Sequence, residues 1–180
     1  MLGPVLEGER VRLAPPRPEN LETFVRWFAE PAVTRYLSRR YPPSLKQEEE
    51  WLERMAGSTE DITWAVGLKD TGALIGVTGL HRIDWRHRHG WIEISLGARS
   101  AWGQGYATEA ISLGTSYAFE ELGFEKILAS VYGGNGASVR LLIKVGYREC
   151  GLLRRSAFFA GQWHDEWLAE ILREDWRDAR

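Results

Sequence analysis

Residues 102–110, Trp102-Gly103-Gln104-Gly105-Tyr106-Ala107-Thr108-Glu109-Ala110, join a strand-like run to a helix-like one. The run before them is Trp91-Ile92-Glu93-Ile94-Ser95-Leu96, and the helical stretch extends from Ala107 to Leu122. A glycine-rich turn in that setting points several backbone N–H groups at one spot, at the positive end of the helix dipole. It forms a seat for phosphate. Gly103 and Gly105 let the backbone approach an anion closely, because no Cβ stands in the way. A strand–turn–helix unit of this kind places the chain among α/β folds.

Two common phosphate loops do not fit. A P-loop needs a lysine after its second glycine, and none follows here. A dinucleotide fingerprint needs a third glycine where this chain has Thr108, and it opens a βαβ unit, whereas this strand lies mid-chain. A second motif follows. Lys126-Ile127-Leu128-Ala129-Ser130-Val131 reads as a buried strand. Asn135 to Tyr147 then reads as a helix capped by Asn135 and ended by Gly146 in the left-handed conformation.

The rest of the chain alternates strands and helices without repeats or linkers. Val11-Arg12-Leu13 is a strand, and Glu19 to Ala29 carries Leu21, Phe24, Val25 and Phe28 at a helical period, stopped by Pro31. Leu45 to Met55 is a helix with Ser44 as cap and Gln47 completing a capping box. Residues 62–68 and 73–80 form a hairpin around Lys69-Asp70-Thr71-Gly72. Residues 149–158 and 163–172 form a last one around Ala160-Gly161.

At 180 residues the chain suits one domain, 1–180. A net charge of −2 gives no electrostatic footprint for nucleic acid or an anionic membrane, so neither is expected as a partner. The single cysteine, Cys150, cannot form an internal disulfide; a reducing compartment and a buried, inert thiol are expected. No basic-plus-apolar leader or long apolar run occurs, which makes a cytoplasmic location the expectation.

The two motifs together resemble those of the GNAT acyltransferase superfamily. Trp102-x-x-Gly105-x-Ala107 follows its Gln/Arg-x-x-Gly-x-Gly/Ala pattern except at the first position. Trp-Gly-x-Gly-Tyr-Ala-Thr-Glu-Ala is the usual form in the branch similar to ribosomal-protein N-terminal acetyltransferases. Asn135, Ser138, Leu141, Lys144, Gly146 and Tyr147 match Asn-x-x-Ser-x-x-Leu-x-x-Lys-x-Gly-Phe/Tyr. The resemblance implies a mixed sheet of six to seven strands flanked by about four helices. Its two central strands, around Ser95 and Ser130, would run parallel and splay apart, with Gly97 a place for a bulge. It also implies acetyl-CoA as cosubstrate, held by Leu96, Gly97, Gly103, Gln104, Gly105, Tyr106, Ala107 and Thr108, with Asn135 and Ser138 at the thioester end. A monomer or homodimer is expected.

Aminolysis of a thioester needs a neutral amine, a polarised carbonyl and a proton for the leaving thiolate. Glu93 is the candidate general base, in an otherwise apolar strand where desolvation would raise its pKa; the alternative is an outward, solvated carboxylate. Ser138 can donate to the thiolate, and Leu96 or Gly97 N–H can polarise the carbonyl. Tyr36, His81, His164 and Asp165 are candidates for the acceptor side, against packing or turn roles. His87 and His89 read as solvated, and no histidine pair has carboxylate- or cysteine-backed spacing, so no metal is expected. The expected acceptor is a primary amine, a protein N-terminal α-amine, with a small polar amine such as a polyamine, amino acid or aminoglycoside as the alternative. A non-catalytic acyl-CoA-binding sensor is the remaining alternative.

Overall fold

The computed structural model describes residues 1–37 and 41–178. Eight strands form one sheet: β1 (Leu6–Glu7), β2 (Val11–Ala14), β3 (Ile62–Leu68), β4 (Leu74–Asp84), β5 (His89–Leu96), β6 (Lys126–Tyr132), β7 (Arg148–Phe159) and β8 (Gln162–Leu172). Their order across the sheet is β1-β2-β3-β4-β5-β6-β8-β7. Every neighbouring pair is antiparallel except β5 and β6, which run parallel. The extra strand relative to expectation is β1, whose two residues are too few to show a hydrophobic period. Four helices are long: α1 (Leu21–Phe28), α3 (Leu45–Gly57), α4 (Tyr106–Glu120) and α5 (Gly136–Val145). Two are short, α2 (Pro31–Thr34) and α6 (Arg173–Asp178). Pro31 therefore opens a short helix rather than merely stopping α1, because the first helical position needs no N–H.

The sheet is covered on both faces. Val11, Leu13, Trp64, Val66, Leu80 and Ile92 point to the face covered by α4 and α5, whose Ile111, Ala118 and Leu142 complete the main core. On the other face Leu21, Phe24, Trp27 and Phe28 of α1 pack with Trp51 and Leu52 of α3 against Val77. The cap of α3 is reciprocal, Ser44 N–H donating to Gln47 Oε1 at 2.8 Å and Gln47 N–H to Ser44 Oγ at 3.3 Å.

Gly97 lies just past the paired register of β5, where the Ala98 N–H donates to the Ile75 carbonyl at 3.1 Å, one residue out of that register. The β4–β5 register runs unbroken from Gly76↔Leu96 to His81↔Trp91, and the irregularity lies between His81 and Asp84. A Cβ on Gly97 would sit 1.9 Å from the Trp27 ring, so this glycine admits the indole of α1. Cys150 is exposed, because β7 is the edge of the sheet and nothing covers it. Its thiol is still pushed above its ordinary value by local desolvation, with Glu170 adding to it, which leaves it a poor nucleophile.

Tyr147 is fully buried and its hydroxyl lies 2.9 Å from Thr115 Oγ1. Burial pushes its ionisation far above the ordinary tyrosine value, with the Thr115 contact opposing only in part. Tyr147→Phe is expected to destabilise the protein by about 1 kcal/mol, read as a shift in denaturant midpoint at unchanged slope. The loss stays modest because Thr115, within α4, can turn its hydroxyl onto the carbonyl of Ile111.

Candidate active site

Parallel pairing between β5 and β6 is limited to His89↔Lys126, Gly90↔Ile127 and Trp91↔Leu128. Beyond Trp91 the strands part, and a cleft of about 880 Å³ opens between Ile92–Ser95 of β5 and Ala129–Tyr132 of β6. Its walls continue onto Phe24, Phe28 and Trp51 of α1 and α3. Strands that keep their outer partners but lose each other leave a slot the width of one more strand.

The glycine loop lies past the Leu96 end of β5. Gly103 (φ 72°) and Gly105 (φ 86°) are both left-handed, and Gly105 caps α4. Trp102 explains its departure from the family pattern: its indole N–H donates to the Leu96 carbonyl at 2.9 Å, tying the loop to the strand. Gln104 Nε2 donates to the Ser100 carbonyl. Arg10 braces the loop from the bend just before β2, donating to the Gln104 carbonyl at 3.0 Å and lying over the Tyr106 ring at 4.8 Å. Glu109 Oε1 accepts from the N–H groups of Arg10 at 2.7 Å and Val11 at 3.0 Å. Desolvation works to raise the Glu109 pKa, but these donors and the Arg10 guanidinium hold it below the usual carboxylate range. Ala107 and Thr108 form the first turn of α4. The open N-terminal turn of a long helix, with glycines where side chains would intrude, fits a pyrophosphate.

Glu93, His81, Tyr36, Asn135 and Ser138 all border the cleft. Glu93 lies on the face of α1 and α3, and its backbone is pinned by Thr78 Oγ1, which donates to the Glu93 carbonyl at 2.6 Å. Its side chain is 73% exposed, so the expected desolvation is not there: Ile92 is buried against the opposite face. His81 Nε2 lies 3.0 Å from Glu93 Oε1. Asn135 caps α5 by accepting the Ser138 N–H at 3.3 Å, and does so at the rim of the cleft. Capping and cleft-lining are thus the same placement. Tyr36 donates to the Gly134 carbonyl at 3.0 Å, spanning from α2 to the start of α5.

His164 and Asp165 do not border the cleft. The His164 ring stacks on Phe159 at 3.7 Å, and Asp165 Oδ1 accepts the Arg155 N–H at 2.8 Å. Both lie within β8 and hold the β7–β8 hairpin together. His87 is exposed, but Asp84 turns back onto it, with His87 Nδ1 2.8 Å from Asp84 Oδ2. Ligand atoms of Asp84, His87 and His89 lie within 4.8 Å of one another, a proximity that spacing along the chain did not reveal.

Glu48 was not singled out from the sequence, yet it borders the cleft and is 1% exposed. Its run, Lys46-Gln47-Glu48-Glu49-Glu50, looks like a solvated charged face. The signal was its helical spacing: Trp51 and Leu52, three and four residues on, share its side of α3.

Comparison with known proteins agrees with this geometry. The acetyltransferase (GNAT) domain family matches residues 10–148. The uncharacterized N-acetyltransferase YoaA of Bacillus subtilis is 31% identical over 173 residues, covering 94% of this chain and 97% of its own. The uncharacterized N-acetyltransferase p20 of Bacillus licheniformis is 25% identical over 174 residues, covering 95% and 97%. Among solved structures, the spermidine N-acetyltransferase of Vibrio cholerae in complex with CoA and spermine superposes with a TM-score of 0.86 at 23% identity, covering 93% of this chain and 98% of that one. No helix among the described residues is long and apolar enough to cross a membrane. Strand order, splayed cleft, glycine loop and relatives converge: the chain belongs to the acetyltransferase (GNAT) domain family and is an acetyl-CoA-dependent N-acetyltransferase.

Proposed function

We propose that the acceptor is a small cationic amine, acetylated by direct transfer in the cleft between β5 and β6. The observation that carries this is the lining: carboxylates of Glu48, Glu93 and Glu166 stand among the aromatic walls of Phe24, Phe28 and Trp51. Carboxylates attract an ammonium group, and aromatic faces favour cations and apolar linkers between them. Acetyl-CoA supplies the acetyl thioester. The loop from Gly103 to Thr108 would hold its phosphates, and the end of β5 at Leu96 and Gly97 its pantetheine arm. Glu93 takes the amine proton directly or through one water. Ser138 gives a hydrogen bond to the departing thiolate.

A second reading, a protein N-terminal α-amine, is favoured by the exposure of Glu93. A carboxylate that is not desolvated is a weak base, and an α-amine near pKa 7.8 asks least of it. CoA release measured across polyamines, aminoglycosides, amino acids and N-terminal peptides separates the two. Polyamines or aminoglycosides are expected to exceed peptides by at least about 10-fold in kcat/KM, roughly 1.4 kcal/mol of differential binding. Preference for peptides would hand the assignment to the second reading.

Ser138→Ala is expected to lower kcat about 10-fold with little change in the KM for acetyl-CoA, because its hydrogen bond strengthens as the thiolate forms. Equal small effects on both constants would leave Ser138 a helix-start residue alone.

A further inference from the structure

In β4, Gly79 is the residue paired across from Glu93, and His81 follows two positions later on the same face. A Cβ on Gly79 would lie 2.8 Å from His81 Nε2 and 2.7 Å from the Ile62 carbonyl oxygen. The absent side chain leaves the space in which the imidazole leans toward Glu93. The ring reaches two carboxylates at once, Nδ1 lying 3.3 Å from Asp61 Oδ1 and Nε2 3.0 Å from Glu93 Oε1. Nε2 is closed off from solvent, and its approach to Glu93 is off the axis of a formed hydrogen bond. Catalytic contacts are often misaligned in this way until substrate is bound.

Asp61 is fixed from two sides. The Ser58 hydroxyl donates to its Oδ2 at 2.9 Å, and the Arg82 N–H donates to its Oδ1 at 3.3 Å. Two further charged groups stand near: the Met1 ammonium, which donates to the Asp61 carbonyl oxygen at 2.5 Å, and the Arg82 guanidinium, 5.9 Å from the Trp91 ring. A carboxylate locked against one imidazole nitrogen sets the tautomer, leaving the other nitrogen to accept.

We infer that His81 finally holds the proton taken from the acceptor amine, with Glu93 handing it on and Asp61 orienting the ring. This rests on the reading of Glu93 as the base of the cleft. The ammonium N–H bond breaks and leaves its electron pair on nitrogen. The proton passes to the Glu93 carboxylate and from it to His81 Nε2. Glu93 ends as it began, a carboxylate, and a neutral imidazole becomes an imidazolium between two carboxylates. The proton leaves to solvent after the amide has formed.

Magnitudes favour such a terminus. For a polyamine-like amine near 10.4, an ordinary carboxylate at about 4.3 falls short by roughly a millionfold and an imidazole near 6.5 by roughly 8,000-fold; for an α-amine near 7.8 the shortfalls are about 3,000-fold and about 20-fold. Burial works to lower the His81 value, but Glu93 and then Asp61 outweigh it and hold the imidazole above its ordinary value. The gap to the amine narrows further. The sign follows directly: the neutral, accepting form fills only as pH rises through a value above about 6.5, so turnover carries an acid limb there.

The test is kcat/KM against pH on two acceptors of different amine pKa, for wild type, His81→Gln, Asp61→Asn and Glu93→Gln. Acetyl-CoA affinity by calorimetry checks that each variant is folded. One acid limb should stay in place when the acceptor is changed. It should vanish in His81→Gln together with about 10–100-fold of the rate at pH 7. It should move to lower pH in Asp61→Asn, since that carboxylate helps to raise the imidazole. A limb that survives His81→Gln, or stays put in Asp61→Asn, overturns the inference while an impaired Glu93→Gln keeps Glu93 as base. Full activity in Glu93→Gln overturns the reading beneath it as well.

Discussion

Glu93→Gln is expected to lower turnover about 10²–10⁴-fold at pH 7 while acetyl-CoA still binds, the range a general base ordinarily supplies. The placement behind this expectation is specific. Register with β4 directs Glu93 to the face of α1 and α3, and Thr78 holds its carbonyl, so the carboxylate stands at the cleft rather than over the core. Glutamine keeps the volume and the hydrogen-bonding reach but cannot accept a full proton. Raising the pH should recover part of the loss, because the amine then deprotonates unaided. Steady-state rates on the best acceptor from the panel, beside a calorimetric titration of acetyl-CoA, read both arms. A full rate at pH 7 would remove Glu93 from the chemistry.

Gly105→Val is expected to weaken acetyl-CoA binding by about 10–100-fold. At φ 86° a β-branched residue is strained, a cost of roughly 1–3 kcal/mol, and the loop can relieve it only by turning its N–H groups off the anion. The added carbon also meets Arg10 Nη2 at 3.1 Å, the same guanidinium that braces the Gln104 carbonyl. Gly103→Val is the useful companion, since its Cβ meets nothing within 4 Å and shares the backbone strain. Unchanged affinity in both variants would remove the loop from cosubstrate binding.

What the sequence made legible was whatever depends on neighbours along the chain. The capping box at Ser44 and Gln47, the Asn135 cap and the left-handed Gly146 all stand where local rules put them. The strand–loop–helix at residues 91–120 does as well. What stayed hidden was set by partners distant in sequence. Arg10 and Glu109 meet across 99 positions, and Asp61 and His81 across 20. The expectation for Glu93 erred for a related reason. Ile92 and Ile94 flank it in sequence but face the other side of the sheet, so they desolvate nothing around it. What Gly97 makes room for was hidden in the same way, because Trp27 is an indole on another element.

His81 also ties stability to pH in the direction opposite to activity. An imidazole whose folded value is raised contributes stability that is fully present below about pH 6.5 and is lost as pH rises through the folded value. The state that accepts protons best is therefore the one in which this contact stabilises least.

The short parallel pairing of β5 with β6 makes the sheet a joint between two plates. Five strands lie on one side and three on the other, joined within the sheet by three residue pairs, while α4 and α5 pack one core across both. Antiparallel ladders of seven register pairs, such as β6 with β8, hold each plate far more firmly within itself. The backbone ladder is thin along this joint, and packing by the helices carries the rest. A cosubstrate laid along the open edges, as proposed, would rivet the plates together, and the same event that charges the enzyme with its acetyl group would stiffen it.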